Sequence, residues 1–247
     1  MILYLWVLML CTMPLIFSSD SFGQVSQSAV LCIFADITQL LCQGILPRHE
    51  TSDTLYIVRQ TQGDYPMISC VQNGVYVIHL DTYDNYWSQY AYQYAHEYCH
   101  YLIRGEMSGK LQGLLWLEES ICELASLCGL AHLSRIWRQR GNAYWQAFEE
   151  YLTDLLTRGE CPEGSLAGYI DAHLHLLGES VYHRDLYHNI ALALYPTFRE
   201  EPSLWSLLPY MGNMIDYATL QEWLTGLQSR IPEELHQQYR TLRGVLM

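Results

Sequence analysis

Apolar side chains recur at helical spacing along most of this chain and at strand spacing in one short stretch. Over residues 24 to 44, Val30, Ile33, Ile37, Leu40 and Leu41 fall on one side of a helix that Pro47 ends. Thr54 to Arg59, Pro66 to Val71 and Val75 to Leu80 are rich in β-branched and aromatic residues and read as strands. Gln72-Asn73-Gly74 is a turn, since Asn-Gly supports positive φ, so the last two strands should run antiparallel. Trp87, Tyr90, Tyr94, Tyr98 and Tyr101 then recur every three or four residues, the stripe of a helix capped by Asp84 or Asn85 and stopped at Gly105. After a loop, residues 111 to 128 form a second helix that packs through Leu111, Leu114, Leu115 and Leu117. From Ala131 onward the pattern is helix after helix, over 133–156, 165–177 and 180–195, with shorter segments over 203–211, 217–227 and 232–246. Breakers stand between them at Gly159 to Pro162, Pro196, Pro202 and Pro232. The expected fold is α+β. A small antiparallel sheet precedes two helices in a part spanning 24–130, and a mainly helical part spans 131–247.

The first 23 residues follow a different pattern. Ile2 to Phe17 is an apolar run without a charged side chain, and the polar Ser18-Ser19-Asp20-Ser21 follows it. That is the order of a secretory leader, with Ser21-Phe22-Gly23 as a small-x-small cleavage site before Gln24. The chain is accordingly expected outside the cytoplasm, secreted or periplasmic. The alternatives are an uncleaved N-terminal membrane anchor, for which sixteen residues is short, and a buried N-terminal helix.

Charge narrows the partners. With 13 Lys and Arg against 26 Asp and Glu, the formal net charge is −13, and Lys110 is the single lysine. Such a surface repels polyphosphate, so nucleic acid is excluded as a partner, and so are anionic membrane surfaces. The cysteines left after the leader number seven: Cys32, Cys42, Cys70, Cys99, Cys122, Cys128 and Cys161. The count is odd, no C-x-x-C is present and most neighbours are apolar, which suits buried free thiols better than a disulfide framework.

The chemistry is concentrated in His96-Glu97-Tyr98-Cys99-His100, an H-E-x-x-H pentapeptide on the aromatic helix. Residues four apart share one helix face, so His96 and His100 can offer two imidazoles to one metal ion, with Glu97 beside them to reach a metal-bound water. A catalytic zinc takes three protein ligands and keeps a fourth position open. The second helix carries adjacent carboxylates in Trp116-Leu117-Glu118-Glu119-Ser120-Ile121-Cys122-Glu123 and can supply the third ligand.

In these two stretches the chain resembles the gluzincin metallopeptidases, the thermolysin-like and aminopeptidase-like clan, whose H-E-x-x-H is followed by a helix bearing a glutamate ligand. The aminopeptidase branch reads W-L-x-E-G there, eighteen residues after the second His. Here eighteen residues, Tyr101 to Glu118, separate His100 from Glu119, and Trp116 to Ser120 matches apart from Ser in place of Gly. The resemblance covers residues 66 to 128. It implies a Zn2+ site of His96, His100 and Glu119, Glu97 as general base, and a peptide or protein substrate. It places Glu123 where thermolysin-like members carry an acid that hydrogen-bonds a ligand His, and leaves Glu118 on a solvated face. It implies that an edge strand, by position Met67 to Val71, holds the substrate backbone. It also implies a Tyr or His from the C-terminal part that steadies the developing oxyanion. Tyr169, His173, His175, Tyr182, His183, Tyr187 and His188 crowd one region, and Tyr182 and His183 are the first choice among them. The exopeptidase motif G-x-M-E-N is absent. Competing readings are a catalytically silent module on the same fold, a zinc hydrolase of non-peptide amides or esters, and an accidental motif.

Overall fold

The computed structural model describes residues 15–17, 27–43, 54–60, 65–72, 74–83, 85–103, 113–179, 183–212 and 214–247. Its elements are β1 (Leu15–Phe17), α1 (Gln27–Leu41), β2 (Thr54–Arg59), β3 (Met67–Gln72), β4 (Val75–Leu80), α2 (Trp87–Ile103), α3 (Leu115–Gln139), α4 (Trp145–Arg158), α5 (Leu166–Glu179), α6 (Arg184–Glu200), α7 (Leu220–Arg230) and α8 (His236–Leu246). Short 3₁₀ turns at Pro202–Tyr210, Met214–Asp216 and Glu233–Leu235 join the last helices. The architecture is α+β, a small sheet in front and helices behind.

The sheet order is β1-β2-β4-β3. β3 and β4 form the expected antiparallel hairpin, with Ile68 opposite Ile78 and Gly74 at a φ of 78° in the turn. A bulge between Cys70 and Gln72 ends the regular pairing. β2 lies parallel to β4, however, so the sheet is mixed rather than antiparallel. The hairpin return fixes one neighbour of β4, while its other edge is open to whichever strand can bury Leu55 and Ile57, and β2 fills it in the parallel sense. β3 is left as an edge strand. Leu15–Phe17, inside the apolar run expected to be a leader, pairs parallel with β2.

The aromatic stripe of α2 is buried throughout, from Trp87 to Tyr101. Its polar tips find partners on α1 and just past its end: the Tyr94 hydroxyl meets Thr38 Oγ1 at 2.8 Å and the Tyr98 hydroxyl meets Cys42 Sγ at 3.3 Å. Each such ring contributes on the order of 1.5–3 kcal/mol by leaving water, which anchors α2 in the core. Of the boundary residues expected for it, Asp84 and Gly105 lie outside the described residues.

The single helix expected over 133–156 is split by a turn at residues 140–144, its first part belonging to α3 and its second to α4. Two further boundaries also differ from expectation. α3 runs on to Gln139 and crosses position 130/131, so the two expected parts share this helix. Gly129, near the expected end, serves close packing instead: a Cβ there would meet Ala95 Cβ at 3.2 Å, which brings α3 tightly against α2 beside His96. The helix ends where Gly141 takes a φ of 72°. Pro196 does not break α6, which continues to Glu200. The far end of α3 is tied to α1 by Asp36, which accepts from Trp137 Nε1 at 2.8 Å and from both terminal nitrogens of Arg140.

Candidate metal centre

α2 and α3 lie antiparallel, and their facing turns build the site. His96 and His100 stand one turn apart on α2, and Glu119 comes from the first turns of α3. His96 Nε2 lies 3.4 Å from Glu119 Oε2, and His100 Nε2 lies 3.6 Å from Glu119 Oε1. One donor atom from each residue falls within 4.8 Å of the others. Tetrahedral ligands about 2.0–2.1 Å from a zinc stand roughly 3.3–3.4 Å apart, so the two His–Glu separations are compatible with such an ion. The side chains of His96 and Glu119 keep 19% and 28% of their exposure, so the cluster opens to solvent on one side.

Glu118, expected on a solvated face, is 5% exposed and points inward. Its Oε1 accepts from His100 Nδ1 at 2.8 Å. A carboxylate at Nδ1 holds the proton there and would leave Nε2 as the atom to face an ion. The hydrogen bond to a motif histidine expected of Glu123 is made by Glu118. Glu123 accepts instead from Tyr92 and from His188 Nδ1, the latter at 2.7 Å. Consecutive helical residues project about 100° apart, and the crossing of α2 over α3 puts the Glu118–Glu119 edge across the ring of His100.

The charges are strongly coupled. Burial works against a proton on His100, but its hydrogen bond to Glu118 and the charges of Glu119, Glu118 and Glu97 outweigh it and push the imidazole up to about 10. Burial likewise works against ionised Glu119, yet its bond to His96 and the charges of His100, His96 and Arg184 pull it down to about 2. The surrounding carboxylates thus favour a proton on His100, and an ion held at its Nε2 would have to displace that proton.

Glu97 is 5% exposed beside the triad. Burial raises its pKa, opposed by His96 and His100, supported by Glu119, and opposed again by the backbone N–H of Ile68, which donates to it. That bond seats the edge strand β3 directly over the motif helix. On the other side of the sheet, His79 pairs with Ser69 Oγ at 3.2 Å and is a structural residue.

Of the residues expected to steady an oxyanion, Tyr182 lies outside the described residues. His183 sits just before α6, its carbonyl accepting from the N–H groups of Leu186 and Tyr187. The nearby residue that the triad reaches electrostatically is Tyr187, which is 4% exposed. Burial and the charge of Glu119 push its hydroxyl up to about 12, so it stays a proton donor at neutral pH.

No known protein family, no curated protein and no solved structure matches the chain. Glu118→Gln keeps a group for His100 Nδ1 to bond but removes the charge. Zinc affinity is expected to fall about 10–100-fold, as titration against a chelating indicator dye measures, and an unchanged affinity would remove Glu118 from the site.

Proposed function

We propose that the chain is an exported zinc-dependent metallopeptidase of gluzincin type. The observation that supports it is the convergence of His96, His100 and Glu119 on one point, with the buried carboxylate of Glu97 beside it. His96, His100 and Glu119 would hold the ion, which when bound supplies a Lewis acid for the scissile carbonyl and lowers the pKa of a coordinated water toward about 7.

The chain's own groups carry the rest. Glu97, whose pKa is raised by burial, takes a proton from the attacking water and delivers it to the leaving nitrogen. Glu118 keeps His100 in the tautomer a metal needs. The outer side of β3 offers backbone groups to an extended peptide, aligning it beside Glu97. The Tyr187 hydroxyl, in place of Tyr182 or His183, donates to the oxygen that becomes negative as the carbonyl is attacked.

The test is metal analysis of the purified chain together with cleavage of a peptide library. About one zinc per chain with cleavage supports the proposal. Zinc without cleavage points to a binding module or to another amide or ester, and absence of zinc binding ends the metal reading. Among the described residues no helix is long and apolar enough to cross a membrane. Export by a cleaved leader predicts a mature chain that begins at Gln24 and lacks the Leu15–Phe17 strand. Intact mass of the chain recovered from its producing cell checks this, and a chain that keeps residues 1–23 would refute cleavage.

A further inference from the structure

Apart from the triad, four helices bring polar groups to one buried point that the proposed chemistry leaves unused. His188, in the second turn of α6, is its centre. Nδ1 lies 2.7 Å from Glu123 Oε1 on α3, and Nε2 lies 2.9 Å from the backbone carbonyl of Leu155 on α4. The Tyr92 hydroxyl of α2 donates to the second oxygen of the same carboxylate, Glu123 Oε2. The side chains of His188 and Glu123 keep only 14% and 11% of their exposure, so water does little to replace either bond.

The partners set the proton count. A carbonyl oxygen only accepts, so Nε2 carries a hydrogen to bond Leu155. Burial works against ionised Glu123, but the bond from His188, the charge of His96 and the bond from Tyr92 hold its pKa below the ordinary value. An ionised carboxylate has no hydrogen to give, so Nδ1 carries one as well. A neutral imidazole has a single N–H and satisfies only one of these two acceptors. Loss of the proton therefore sets a lone pair against one acceptor and leaves the Glu123 charge buried beside a neutral ring.

The groups that face this point are Glu123 from α3, Tyr92 from α2, Tyr151 from α4, and Arg184 and Asp185 on α6 itself. The rings of Tyr92 and Tyr151 meet edge to face at 5.8 Å. Burial first, and then the charge of Glu123, push both phenols up, so they stay neutral while a histidine titrates. Beside His188, Asn189 accepts from the Glu160 N–H at 2.9 Å and donates to the Tyr169 hydroxyl at 2.9 Å, bonds that hold the same turn without charge. A Cβ on Gly159 would lie 2.6 Å from His188 Cδ2, so the ring is pressed against the chain that follows α4.

We propose that His188 is a proton-dependent latch: doubly protonated it clamps the start of α6 to α3 and α4, and its deprotonation loosens that clamp. The latch stands independently of the metal and peptidase reading. Burial opposes the His188 proton, but the bond and charge of Glu123 outweigh it, with smaller help from the Leu155 carbonyl and Asp185, and raise its pKa above the ordinary value. A histidine raised in this way contributes its full stabilisation below the ordinary value and loses it as pH rises through the raised one. The latch is closed on the acid side, down to the pH at which Glu123 takes a proton, and opens on the alkaline side.

The test follows the full chain over about pH 5–9. Proton–nitrogen NMR reads the His188 ring, assigned through its own backbone resonances. Hydrogen exchange reads the first turns of α6 against α1, which lies outside the cluster. His188 is expected to titrate above 6.5, and α6 protection to fall with the same midpoint. The fall should be about tenfold for each pH unit that separates the docked and undocked pKa of His188. H188Q, which cannot gain a second proton, should make α6 protection independent of pH in this range. E123Q removes the anionic partner and should move the midpoint to lower pH. A His188 that titrates at or below 6.5, α6 protection that stays flat through its titration, or an opening unchanged in H188Q would each overturn the proposal. If H188Q does not fold, E123Q decides: a lowered midpoint supports the latch and an unmoved one overturns it.

Discussion

Replacing Glu97 with Gln is expected to leave one zinc per chain in place and to remove hydrolysis. Gln is nearly isosteric and can still accept the Ile68 N–H, so the edge strand and motif helix keep their geometry. What it loses is the capacity to take a proton. General-base catalysis is worth about 10²–10⁴-fold, and kcat should fall by at least that much while substrate affinity holds. Stopped-time cleavage of a fluorogenic peptide, with zinc measured on the same sample, separates the two. Full activity in E97Q would show that another group is the base. Loss of zinc with loss of activity would make Glu97 a ligand rather than a base.

The second large effect is at Glu119. Glu119→Ala leaves two imidazoles, one still held by Glu118 through its 2.8 Å bond, and deletes the carboxylate that, among the described residues, groups with both within 4.8 Å. Supporting residues cost about 10–100-fold in affinity, and loss of a direct ligand should cost more. The comparison with Glu118→Gln is decisive because the two positions are adjacent in sequence. Competition titration of both variants should rank E119A as the weaker binder. The reverse order would exchange the roles of the two glutamates.

These assignments differ in how far they could be read from the chain. The motif helix was legible because Trp87, Tyr90, Tyr94, Tyr98 and Tyr101 keep a helical period and are all buried. Glu119 was reachable by its spacing from His100, since one short connection and one turn of helix bring it back. Glu118 was not, because its inward direction depends on how α3 rotates against α2, and Gly129 against Ala95 sets that approach. The partner of Glu123 could not be seen either: His188 lies 65 residues away and meets it only after α4 and α5 have turned the chain round. Tyr187 stood among seven candidates with nothing local to separate it. The parallel placement of β2 is likewise a tertiary choice, made at an open edge of β4 rather than within its own six residues. Pro196 misleads because an isolated proline late in a well-packed helix is tolerated where neighbouring side chains hold the axis, as Leu194, Tyr195 and Phe198 do by their burial.

The three residues that would bind the ion all belong to α2 and α3, two helices consecutive in the chain. The loop an ion would close is short, whereas the Asp36–Arg140 tie spans 104 positions. Short loops close early and at low entropic cost. An ion can therefore join the helical hairpin before the sheet has found its register, and the order of assembly, as well as final stability, should depend on metal. Refolding followed with and without zinc would read this as a faster first phase, and identical traces would place ion capture after the fold is complete.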